Sequence, residues 1–162
     1  RTPEEQDQMW ELFKKRGVDV VCSEHTPHEK ETKYQADVWQ APSGMPSIQE
    51  TLPALITGWV KRFGKGNLEE CLQTIAKLSS QNPARIFGFH SKGEISIGKD
   101  ADLIIIDPEQ IWEVKKQDLF SKCGWSAYEG MRLIGRPIAT FLRGKLVYND
   151  GKIVGKPIGN ML

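Results

Sequence analysis

The chain has little cysteine, and what it has is poorly placed for cysteine chemistry. Cys22, Cys71 and Cys123 are odd in number and widely spaced, with no Cys-x-x-Cys pair. That pattern argues against zinc knuckles and thiol redox motifs, and more strongly against a disulfide framework; a reducing cytoplasm is the compartment it fits best. Histidine is equally scarce, with only His25, His28 and His90. His25 and His28 form a His-x-x-His pair in a proline-containing loop, a weak metal signal without a third ligand, and His90 sits in a separate link. A metal site built by this chain alone is therefore not expected. No apolar run approaches the 18 or so residues of a membrane span, and no signal-peptide pattern is present. Charge of one sign is also missing. The net charge is +1 with acids and bases interspersed, and no basic stripe suggests nucleic acid as a partner.

What is present is ordinary globular composition, 39% hydrophobic and 27% charged over 162 residues. That length makes one domain or a piece of a larger one. The chain starts at Arg1 rather than Met, which suggests a segment of a longer protein. Thr2-Pro3-Glu4-Glu5 reads as a helix start, with Thr2 as N-cap, Pro3 at the first helical position and Glu5 closing a capping box. Met9, Trp10, Leu12 and Phe13 form its apolar stripe, and Gly17 is the expected stop. Val18 to Ser23 follows at once as an apolar run that reads as a buried parallel strand. Residues 26–46 read as a long loop whose position after the strand favours binding. A second helix is expected from Ser47 to about Phe63, with Pro53 after its first turn as a possible kink. A third starts at Asn67, and a short one at Gln81-Asn82-Pro83 ends by Gly88. The apolar period then changes from 3.6 to 2. Glu94–Ile97, Ala101–Ile106, Ile138–Leu142, Lys145–Tyr148 and Lys152–Val154 read as strands of a small antiparallel region.

The chemistry concentrates in Val18–His28. Glu24 and His28 stand where a barrel strand would end, the place where such folds carry their chemistry. A carboxylate there suits metal ligation or proton transfer to and from a water molecule. A surface acid beside two loop histidines is the alternative that spacing leaves open. Pro42-Ser43-Gly44 offers the Ser43 and Gly44 amides to an oxyanion, or makes an ordinary turn. Trp39, Trp125 and Tyr128 read as packing residues. Asp107, Lys122 and Arg132 read as solvated or structural.

Taken together, Ser-Glu-His-Thr-Pro-His, Ala-Pro-Ser-Gly-Met-Pro-Ser, Asn-Pro-Ala-Arg-Ile-Phe-Gly, Gly-Lys-Asp-Ala-Asp-Leu and Ser-Lys-Cys-Gly-Trp-Ser resemble the C-terminal part of a dihydroorotase of the long class. That class belongs to the cyclic amidohydrolases, with the allantoinases and hydantoinases. The resemblance implies an α/β fold, the C-terminal part of a metal-dependent (β/α)8 TIM barrel (residues 1–90) plus a small antiparallel β domain (residues 91–162). It implies reversible hydrolysis of the cyclic amide of dihydroorotate to N-carbamoyl-aspartate by metal-activated water. Glu24 would be the general base and a metal ligand, and His28, Ser43 and Gly44 would contact the substrate. One or two Zn2+ ions are implied for the full-length protein, with the remaining ligands upstream of Arg1. The partners implied are a small-molecule substrate, the rest of the barrel and further copies of the chain, in the cytoplasm, with neither nucleic acid nor membrane. One departure stands out: the family carries Asp-His-Ala-Pro-His where this chain has Glu24. An allantoinase or hydantoinase activity and a non-catalytic scaffold role are the alternatives.

Overall fold

The computed structural model describes residues 2–161. Helix α1 (Pro3–Lys14) opens with the expected capping box. The Glu5 amide donates to Thr2 Oγ1 at 3.3 Å, and the Thr2 amide donates to the Glu5 carboxylate at 2.9 Å. These two bonds satisfy donors that a helix N-terminus leaves free. The stop comes one residue earlier than expected. Arg16, not Gly17, takes the left-handed conformation (φ 55°), and the Gly17 amide closes back on the Leu12 carbonyl at 2.8 Å.

Helices α2 (Thr51–Phe63), α3 (Leu68–Ala76) and α4 (Asn82–Ile86) follow, the last two joined without a break by a π-helical turn at Lys77–Gln81. Ser47 does not cap α2 directly. It starts a turn, accepting at its carbonyl from Glu50 N and Thr51 Oγ1, and the helix begins at Thr51. Pro53 therefore lies in the first turn, where a missing N–H removes no helical bond. Asn67 stands at the N-cap of α3 but donates its side-chain amide to the Phe63 carbonyl instead of capping. The core forms where α1, α2 and α3 meet, with Phe13, Ile56, Trp59, Cys71, Ile75 and Leu78 all buried. Phe13 and Trp59 meet edge to face at 5.9 Å between ring centroids, a favoured aromatic geometry.

Strands β1 (Leu103–Glu113), β2 (Arg132–Leu142), β3 (Lys145–Asn149) and β4 (Lys152–Ile153) form one antiparallel sheet in chain order. The hairpin turns use the expected residues. Arg143-Gly144 and Asp150-Gly151 all have positive φ, which matches the right-handed twist of the strands they join. The sheet docks on α2 through β2. Thr57 Oγ1 accepts from the Ile134 amide at 2.8 Å and donates to the Pro53 carbonyl at 2.7 Å. Gly135 (φ 83°) permits the approach, because a Cβ there would lie 2.5 Å from Ile56 Cδ1.

Two expected strands do not form. Val18–Ser23 begins in a bend at residues 18 and 19 and joins no ladder, and it leans on the helices instead. Val21 N donates to the Leu78 carbonyl at 3.0 Å, and Asn82 Nδ2 donates to the Asp19 carbonyl at 2.8 Å. A parallel strand exists only through its neighbours, and none of the described residues pairs with this run. Glu94–Ile97 is likewise a series of turns. Its alternating Ile95 and Ile97 stand 88% and 105% exposed, so the apolar alternation has nothing to pack on. Trp39 is 91% exposed rather than packed.

Candidate active site

Glu24 is exposed and follows the unpaired run 18–23. Its backbone is left-handed, with φ 47°. For a residue other than glycine that conformation costs roughly 1–2 kcal/mol, so it is held in place by what surrounds it. The hold is a lacing of residues 23–26 to residues 45–48. Ser47 Oγ donates to the Ser23 carbonyl at 2.9 Å and Thr26 N donates to the Met45 carbonyl at 3.0 Å, while within the first segment His25 N donates to Ser23 Oγ at 3.3 Å. The imidazole of His25 completes it. Its Nδ1 accepts from two consecutive amides, Ser47 N at 3.0 Å and Ile48 N at 3.2 Å.

The lacing brings the Pro42-Ser43-Gly44 turn against Glu24's neighbour Thr26. Gly44 has φ 85°, and a Cβ on it would lie 1.7 Å from Thr26 Oγ1, so only glycine fits. Lys33 turns the carbonyls of this loop inward, donating from Nζ to Pro42 O and to Gly44 O at 2.6 Å. The amides of Ser43 and Gly44 have no hydrogen-bond partner among the described residues. Two adjacent unpaired amides suit a carboxylate or carbonyl oxygen. His28 is exposed on the same loop. Its amide donates to the Thr26 carbonyl at 2.9 Å, and its carbonyl accepts from Trp125 Nε1 at 2.8 Å. Glu24, His28, Ser43 and Gly44 thus lie on two segments that are bonded to one another, and residues 121–126 reach them through Trp125.

Four residues that matter to this arrangement were not singled out for these parts: Lys33, His25 as a lace rather than a metal ligand, Trp125 as a hydrogen-bond donor, and Glu50. Glu50 reads in the sequence as one more acid near a helix start. In the structure it is 2% exposed and its Oε1 has no partner. Burial pushes its carboxyl above the ordinary carboxylate range, against the opposing pull of its backbone hydrogen bond and the Ser126 hydroxyl. The Tyr128 phenol is also pushed up, first by burial and then by the Glu50 charge. A cleft of about 1000 Å³ opens beside Glu50, lined among others by His25, Trp112, Trp125, Arg136 and Tyr148. The four predicted site residues lie outside it.

The donors present do not make a metal centre. No group of three His, Cys, Asp or Glu side chains converges among the described residues. A carboxylate from Glu24 would be one ligand at most, and a zinc site of the implied kind would draw its other ligands from elsewhere. No helix among the described residues is long and apolar enough to cross a membrane.

The profile of the Amidohydrolase family matches residues 64–147. A dihydroorotase of Pyrococcus furiosus is 34% identical over 162 residues, all of this chain and 36% of that protein. An allantoinase of Rubrobacter xylanophilus is 36% identical over all of this chain and 35% of its own length. Among solved structures, an L-hydantoinase (dihydropyrimidinase) of Arthrobacter aurescens superposes with a TM-score of 0.83 at 28% identity, over 96% of this chain and 34% of that one. The chain spans about a third of the length of each of these relatives.

Proposed function

The chain belongs to the amidohydrolase family, and from that premise we propose that it forms part of a cyclic amide hydrolase of the dihydroorotase type. The reaction is the reversible opening of the dihydroorotate ring to N-carbamoyl-aspartate. Glu24 takes the proton from the water that attacks the ring carbonyl and returns it to the leaving ring nitrogen. A carboxylate on an exposed residue with a restrained backbone is suited to both steps. His28 and the free amides of Ser43 and Gly44 hold the substrate carboxylate. The observation that carries this reading is the lacing itself, which ties the segment of an exposed acid to the loop of two unpaired amides. An anion-binding pair favours dihydroorotate, which bears a carboxylate, over an unsubstituted hydantoin.

The test is turnover by the complete protein, offered dihydroorotate, allantoin and hydantoin in parallel. Opening of dihydroorotate with little action on the other two is expected, and opening of allantoin or hydantoin alone would overturn the choice. Glu24→Gln, which cannot accept a proton, should lower kcat by at least about 100-fold. A variant as active as the parent would remove Glu24 from the reaction, and a complete protein that opens none of the three rings would leave a scaffold role as the better reading.

A further inference from the structure

We infer that His25 is a positioning residue, a lock that fixes the acid segment to the substrate-contact loop through its ring nitrogen. The inference rests on the proposed reaction for its consequence, but not for its geometry. His25 directly follows Glu24, and its backbone makes the only bridge of the parallel-strand kind that joins residues 24–26 to residues 44–46. Its ring then does what no backbone group does here. Nδ1 accepts two amides at once, from Ser47 and Ile48, at 3.0 and 3.2 Å. An imidazole nitrogen that accepts carries no proton, so the ring hydrogen sits on Nε2. The two amides belong to the turn that leads into α2, where backbone donors have no helical partner of their own.

Ser47 ties the same point a second time, through its hydroxyl to the Ser23 carbonyl. Removing the His25 ring would therefore leave two amides unpaired and free the turn, although the bridge and the Ser47 hydroxyl would persist. The loop that carries Ser43 and Gly44 enters this turn three residues upstream. Its freedom would be felt as poorer substrate capture, with little change in the proton transfer by Glu24. Catalytic geometry tolerates little misplacement, about 1 Å costing up to 100-fold, so even partial loosening is measurable.

The experiment compares His25→Asn and His25→Leu with the parent in the complete protein. The Asn side-chain oxygen reaches close to the place of Nδ1 and can accept both amides, whereas Leu fills similar space and accepts nothing. Amide hydrogen exchange at Ser47 and Ile48 should stay slow in the Asn variant and quicken at least tenfold in the Leu variant. KM for dihydroorotate should rise about tenfold with Leu and less than threefold with Asn, with kcat within threefold in both. Equal exchange in Leu and Asn variants, or a loss carried by kcat alone, would overturn the lock. Should the Leu variant fail to fold, the parent still decides. Its His25 15N shifts must show an unprotonated Nδ1 and a protonated Nε2, and the opposite tautomer refutes the inference. Exchange and tautomer need no turnover, so a protein inactive on every cyclic amide would refute the proposed reaction and leave the lock to be judged by these two measurements.

Discussion

Glu24 holds its carboxylate on a backbone that residues with a Cβ usually avoid, and its neighbours supply the restraint. The residue types of the candidate site were legible in the sequence: an acid, a histidine and a Ser-Gly turn. The restraint was not, because it runs through the ring of His25 and the ammonium of Lys33, and neither spacing nor composition reveals which groups a long loop will fold back on. Glu50 shows the same gap, since an acid near a helix start reads as solvated. Its buried carboxyl leads to a pH prediction. A carboxyl whose folded-state pKa lies above its unfolded value binds more protons when folded, so stability falls as pH rises from the ordinary carboxylate value through the raised one. Glu50→Gln, which cannot ionise, should abolish that dependence and raise the melting temperature at neutral pH relative to the parent. Melting curves across pH 4 to pH 8 check this, and a lower melting temperature at every pH would show that the charge is stabilised by a partner.

At the scale of elements, local signals held where local chemistry decides. The capping box of α1, the apolar stripes of the helices and the two Gly-containing hairpin turns all form where the sequence points to them. The misses share a cause. Val18–Ser23 and Glu94–Ile97 have strand patterns, but a strand is a property of a pair, and the described residues offer these runs no partner. The second of them is held in turns by charge instead. Lys92 bridges Asp100 and Asp102, and its hydrogen bonds to them keep both carboxyls below the ordinary range while raising its own ammonium. The joint between sheet and helices is tested at Gly135. Gly135→Ala must adopt φ 83° and push into Ile56, which is fully buried. Strain and overpacking together should cost about 2 kcal/mol or more, read as a lower denaturation midpoint with an unchanged slope.

The molecule as a whole exposes more surface than its mass warrants. Its accessible area is 11100 Å², whereas a compact monomer of 18.3 kDa exposes about 8,100 Å². Exposed apolar side chains contribute to it: Val20 beside the acid segment, Ile95 and Ile97 in the turns, and Ile104, Ile105 and Ile111 along the edge strand β1. Surfaces of this kind associate. Expressed alone, the 162-residue chain should form oligomers or aggregates, seen by light scattering as a mass well above 18.3 kDa that grows with concentration. A monodisperse monomer with a sharp melting transition would contradict it. Trp125, meanwhile, puts an observable where it is most useful. Its indole N–H is spent on the His28 carbonyl, so the ring rides on the very segment that would meet a substrate. Trp59 is sealed in the core and Trp39 stands in solvent, and neither should notice a ligand there. The indole proton of Trp125 should shift in a nuclear magnetic resonance spectrum when an anion occupies the site, which makes the chain its own probe and spares the experimenter an added label.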